Sequence, residues 1–293
     1  MTEFVDEIAD DIAQGWLQTI LAVAAQPGQK AFHTVTRIRS VADDGEPRIH
    51  RAATDLLDEL DLQPLSTVAN TIFPAAMAAQ TPDIEALGVR YAKVYPQLKQ
   101  VDTKNLYGTY FLRLVAYPGS NGPENQLRRV IANMRGELAS RSPKRARYET
   151  SFECPSQDGV ATDPAAHNGH ELGVDDHTAA PVFVPGRDNR SMGFPCLSFL
   201  SFQHDRTRLH AVAHYRSQHL MERGLGNYLG IARLMRYLAE QTELQPGGLT
   251  IVAGQAYTDH LKKFQIADLE QLHQDLTDAG STSETTAQQA GVR

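Results

Sequence analysis

The chain is poor in cysteine and tryptophan, has no surplus of positive charge and contains no long apolar run. Two cysteines in 293 residues cannot build a secreted disulfide framework, so a reducing compartment is expected. Twenty-eight basic against 35 acidic residues leave a net charge of −7, which argues against an overall electrostatic grip on nucleic acid. Near the amino terminus the longest apolar run, Ile20 to Ala25, falls far short of the ~20 residues that span a bilayer. That terminus is acidic and lacks the basic-then-apolar order of a signal peptide. A cytoplasmic protein with neither membrane nor nucleic-acid partners is expected.

What is present suffices for one large core, with 41% hydrophobic and 22% charged residues. Phe4, Ile8, Ile12, Trp16, Ile20 and Val23 recur at three- or four-residue steps and predict a helix over 3–25. Residues 32–40 alternate and are β-branched, which predicts a strand. Further helices are predicted over 49–61, 83–98, 125–140 and 225–242, and strands over 194–203, 207–215 and 249–253. Pro246-Gly247-Gly248 reads as a turn, and Pro74 ends whatever precedes it. Residues 155–190 lack periodicity and read as a surface excursion within the domain. From Ser281 the sequence is polar and is expected to be disordered, leaving 1–280 as one domain.

The reactive groups cluster late in the chain. Cys196 stands where the chain enters a strand, Arg216-Ser217 ends the next strand, and Gly226-Asn227 opens a helix. Pairing of those strands would bring Cys196, Arg216 and Asn227 to one mouth. A neighbouring guanidinium raises the thiolate fraction of a cysteine and grips phosphate with two hydrogen bonds. An amide can read the edge of a base, since it both donates and accepts.

The series FPCLSFLSFQ, HYRSQ and LGNYLGIARLMRYLAEQTELQPGGLTIVAGQAY resembles thymidylate synthase in order and in spacing. Upstream, the segment Asn105 to Arg113 resembles the family's "Leu-Gly-x-x-Tyr-Gly-x-x-x-Arg" stretch, and Lys144-Arg145-Ala146-Arg147 falls at its paired arginines. The resemblance implies an α/β (α+β) fold: a large mixed β-sheet flanked by helices, with one sheet face packing against a second subunit. It implies a homodimer that adds a methyl or hydroxymethyl group from 5,10-methylenetetrahydrofolate to C5 of a pyrimidine nucleoside monophosphate. By match, Cys196 is the nucleophile at C6, Tyr107 organises water, and Arg216 and Ser217 hold the phosphate. Asn227 pairs with N3 and O4, which favours uracil. Arg145 and Arg147 reach the phosphate of the partner.

The departures from the family are specific. His219 replaces an aspartate, and the ribose-binding His and Tyr become Tyr257 and Asp259, which are candidates for the sugar or a larger substituent. The family's essential glutamate aligns with Asn70, and an amide cannot shuttle protons. The early phosphate loop is missing, leaving Arg37 or Arg39 to supply its charge. Trp16 is the only tryptophan, and the folate-closing carboxyl-terminal segment has no counterpart. A nucleotide-binding protein without one-carbon transfer is therefore the alternative. His167, His170, Asp175, Asp176 and His177 fit no standard zinc spacing, so no metal is expected. Cys154 reads as structural, His210 and His214 as strand histidines, and Arg233 and Arg236 as helix-surface charges. Arg223 lies close enough in sequence to Asn227 to assist a phosphate.

Overall fold

The computed structural model describes residues 2–4, 8–101, 109–119, 122–141, 144, 147–152, 196–259 and 261–290. The chain runs β1 (Thr2–Phe4), α1 (Ile12–Ala24), β2 (Lys30–Ile38), α2 (Pro47–Glu59), α3 (Leu65–Ile72), α4 (Ala75–Ala78), α5 (Ile84–Val101) and α6 (Tyr110–Val115). It continues through the hairpin β3 (Tyr117–Gly119) and β4 (Gly122–Glu124), then α7 (Gln126–Leu138), β5 (Glu149–Ser151), β6 (Leu197–His204) and β7 (Arg208–His219). One turn of π-helix (Leu220–Gly224) leads into α8 (Leu225–Gln241), β8 (Gln245–Tyr257) and α9 (Lys263–Ala290).

A six-stranded mixed sheet in the order β1-β2-β8-β7-β6-β5 organises the molecule. Strands β7 and β8 are parallel, with α8 as the crossover between them; β6 and β2 pair antiparallel on either side. Helices α1 and α8 cover one face, where Trp16, Ile20, Tyr228, Ile231 and Leu234 are fully buried. Inside that layer, Thr19 Oγ1 lies 2.5 Å from Thr36 Oγ1, so the two hydroxyls satisfy each other across helix and sheet. The opposite face is open among the described residues. Phe32, Phe199 and Val212 on it are 51%, 36% and 41% exposed.

The sheet changes face along one line. Inward-facing residues normally alternate, yet β2 steps from Ala31 to Thr34, β7 from Tyr215 to Gln218 and β8 from Ala253 to Ala256. These steps of three lie in register across the three strands. In β6 the corresponding step, Leu197 to Leu200, comes with a register shift one pair away. His33, at φ +52°, supplies the irregular residue in β2. Arg216 and Ser217 fall between the two inward sets, so neither enters the core and both stay half-buried.

The structure corrects several sequence expectations. The amino-terminal helix begins at Ile12, because Asp11 caps it by accepting from the Gln14 N–H at 2.8 Å; residues 3–11 are not helical where described. Pro246-Gly247-Gly248 lies within β8 and is not a turn. A Cβ at Gly247 would sit 2.6 Å from the Leu209 carbonyl oxygen, so glycine there serves a close approach of strands. Helix α9 runs to Ala290, so the stretch from Ser281 expected to be disordered is helical to that point. It contains no proline, and Glu284, Ala287, Gln288 and Gln289 are good helix formers. The excursion 155–190 with its histidines, Cys154, Tyr107 and Arg145 lies outside the described residues.

Candidate functional site

Cys196 sits just before β6, half-buried and not in a disulfide. Its carbonyl accepts from the Arg216 N–H at 2.8 Å, so antiparallel pairing sets thiol and guanidinium side by side at the kink. Burial pushes the thiol above its ordinary value; Arg223 and Arg216 pull it down, and Glu222 pushes it up. Burial prevails, so the sulfur is a thiol near neutrality and needs a base to react.

The floor beneath it is aromatic. The Tyr110 hydroxyl accepts from the Leu197 N–H at 3.4 Å, and burial raises its ionisation well above the ordinary phenol range. Tyr215 is buried beside it with a hydroxyl that has no hydrogen-bond partner among the described residues. Tyr228 is pushed to about 12 by burial, with the Thr36 hydroxyl easing it back. These phenols stay neutral through the physiological range.

The π-helical turn forms one wall. Arg223 Nε is 3.2 Å from Glu222 Oε1, with both side chains about three-quarters buried (26% and 25% exposed). Asn227, in the first turn of α8, is only 4% exposed, and its side-chain amide makes no hydrogen bond among the described residues. Gly226 lets α3 approach this turn, since a Cβ there would lie 2.6 Å from Val68 Cβ.

The other wall is the end of β8. His219 Nδ1 is 2.6 Å from Asp259 Oδ1, and the His219 ring stacks on Tyr257 with centroids 5.2 Å apart at 14°. Lys30 Nζ lies 5.4 Å above the Tyr257 ring. Asp259 holds a left-handed backbone at φ +47°. Hydrogen bonding to Asp259 raises the His219 pKa, while burial opposes it.

The expected residues thus divide. Cys196, Arg216 and Ser217 meet at the kink, Asn227 opens the following helix, and Tyr257 and Asp259 border the same strand ends. Asn70 lies on the exposed side of α3 and is hydrogen-bonded to none of them. Arg147 is exposed, and its carbonyl accepts from Asn133 Nδ2 at 3.1 Å. It precedes the pairing of Glu149 with Ser201, at the other end of β6 from Cys196. Arg37 and Arg39 are likewise displaced: they line a groove on the open sheet face with Ser201, His210 and Val212, which includes neither Cys196 nor Arg216. His210 accepts from the Gly248 N–H at 3.0 Å, and His214 Nδ1 lies 2.7 Å from Ser198 Oγ, so both are engaged locally. Arg233 and Arg236 pair with Asp44 and tie its loop to α8. Sequence reasoning missed Glu222, Tyr110 and the His219–Asp259 pair.

After β8 the chain enters α9, which packs on α1 and α2 and is tied there by Gln265 Nε2 donating to Glu59 Oε1 at 3.1 Å. No helix among the described residues is long and apolar enough to cross a membrane. Comparison with known proteins finds no matching family model and no matching curated protein.

Proposed function

We propose that the chain is a thymidylate synthase-like transferase that activates C5 of a pyrimidine nucleoside monophosphate, with uracil as the base, through a covalent bond from Cys196 to C6. The observation that carries this reading is the half-buried thiol beside Arg216 and Arg223 at the sheet kink. The cations suit a phosphate dianion, and the unpartnered Asn227 amide suits N3–H and O4 of uracil. Sulfur addition at C6 makes C5 nucleophilic toward a methyl or hydroxymethyl donor. The reading stops at the activated C5 and assigns no donor.

Addition at C6 also labilises the hydrogen on C5. Tritium release from [5-³H]UMP, dUMP, CMP and dCMP tests the reading, with release from a uracil nucleotide expected. No release from any of the four overturns it. The exposed position of Asn70 favours a second reading, a nucleotide-binding protein without group transfer. Thermal stabilisation by a monophosphate without tritium release would select that one.

The second subunit belongs on the open sheet face. Phe199, Val212 and Phe32 are exposed apolar side chains there, covered by no described residue. Arg145 and Arg147 would then act across the dimer, which accounts for Arg147 lying away from Cys196. Phe199→Asp places an unpaired carboxylate in that contact and is expected to weaken the dimer by about 100-fold. Sedimentation of the wild type as a monomer at micromolar concentration would exclude this arrangement.

A further inference from the structure

Proton transfer is the task the matched residues leave undone. Asn70 faces solvent and has no titrating proton, and burial keeps the Cys196 sulfur protonated near neutrality. The side chains able to move a proton are gathered instead where β7, the π-helical turn and the end of β8 meet.

Their geometry is specific. Asp259 has a side chain only 9% exposed; Oδ1 takes the short contact to His219 Nδ1, and Oδ2 is buried with no partner among the described residues. His219 is 46% exposed, and its Nε2 makes no hydrogen bond among the described residues. A carboxylate on Nδ1 fixes the tautomer and leaves Nε2 as the atom that accepts and releases protons. The Tyr257 stack holds the ring plane. Glu222 and Arg223 each act electrostatically on both the thiol and the imidazole, so one ion pair lies within electrostatic reach of both groups.

We propose that His219 is the proton-transfer residue of the Cys196 site and that Asp259 is the residue that positions it. The inference rests on the covalent reading above. The proton of Cys196 passes to Nε2 through solvent as sulfur bonds to C6, and the electron pair of the C5=C6 bond moves to C5. The imidazolium returns a proton to C5. In the reverse direction Nε2 takes a proton from C5, the C–H electron pair reforms the C5=C6 bond, the S–C6 pair leaves on sulfur, and the thiolate regains a proton from the imidazolium through solvent. Nothing is oxidised or reduced, and the net change is exchange of the C5 hydrogen with solvent.

The charged and titratable groups around the imidazole are Asp259 and Tyr257 from the end of β8, Glu222 and Arg223 from the turn, and Lys30 from β2. Neutral imidazole is the acceptor, so exchange rises with pH through the His219 pKa. Asp259 makes the largest contribution to raising that pKa. Asp259→Asn therefore moves the rising limb to lower pH.

The test uses the full chain with two readouts: tritium release from [5-³H]UMP and [5-³H]dUMP, and the adduct formed with their 5-fluoro analogues at pH 9, where the thiolate fraction is larger than at pH 7. His219→Gln is expected to form the adduct at pH 9, where hydroxide in solvent can take the thiol proton, and to lose about 100-fold in tritium release at pH 7. Added imidazole is expected to restore release in His219→Ala, a rescue that a structural role would not show. Release within threefold of wild type in His219→Gln, with the adduct retained, overturns the inference and leaves the covalent reading standing. An unshifted pH limb in Asp259→Asn overturns the positioning role. Absence of adduct in the wild type refutes the covalent reading itself, and the inference with it.

Discussion

Cys196→Ala is expected to lower C5 tritium release by on the order of 10⁴-fold or more while changing monophosphate affinity no more than about threefold. The two quantities separate because different atoms carry them. On the proposed reading affinity comes from Arg216, Ser217 and Asn227, and the Arg216 backbone is held by its N–H on the Cys196 carbonyl at 2.8 Å, a bond that does not involve the sulfur. Turnover depends on a bond that only the sulfur forms. Cys196→Ser is expected to behave like alanine, since a hydroxyl is a far weaker nucleophile without a strong base. Calorimetry with UMP and dUMP beside the exchange assay decides the matter. A variant that still exchanges would move the nucleophile elsewhere; one that loses both binding and exchange would make the thiol a packing residue.

Much of the helical layer was legible because its pattern is local. The apolar steps of α1 and α8 follow the helix period; α8 lies close to its expected span, whereas α1 starts nine residues later than expected, at Ile12. The thiol–guanidinium pair was also legible, since adjacent antiparallel strands bring positions 196 and 216 together. The sheet kink was not. Its inward residues step by three in register across β2, β7 and β8, a coincidence that no single strand reveals. Gly247 and Gly248 read as a turn because glycine marks both turns and close strand contacts, and only the neighbouring strand tells them apart. The His219–Asp259 pair escaped for the same reason. Forty residues separate its members in sequence, and parallel pairing of β7 with β8, which sets His219 opposite Tyr257, brings them together.

Trp16→Ala is expected to cost ~3–5 kcal/mol of stability, a large share of the ~5–15 kcal/mol typical of a domain. The indole is fully buried, and its Nε1–H donates to the Leu220 carbonyl at 2.7 Å. That carbonyl stands at the start of the π-helical turn, so the indole hydrogen bond ties α1 to the turn. Gly224 closes the same turn against the indole, where a Cβ would lie 3.0 Å from Cδ1. Trp16 thus anchors both ends of the segment that presents Glu222 and Arg223. Trp16→Phe keeps most of the packing but removes that hydrogen bond, at a cost of ~0.5–1.5 kcal/mol. Denaturant unfolding followed by circular dichroism measures both losses. Because the turn also carries the ion pair that acts on both the thiol and His219, Trp16→Phe is expected to reduce C5 exchange several-fold at temperatures where it remains fully folded. Unchanged exchange in that folded variant would show that the turn keeps its place without the indole hydrogen bond.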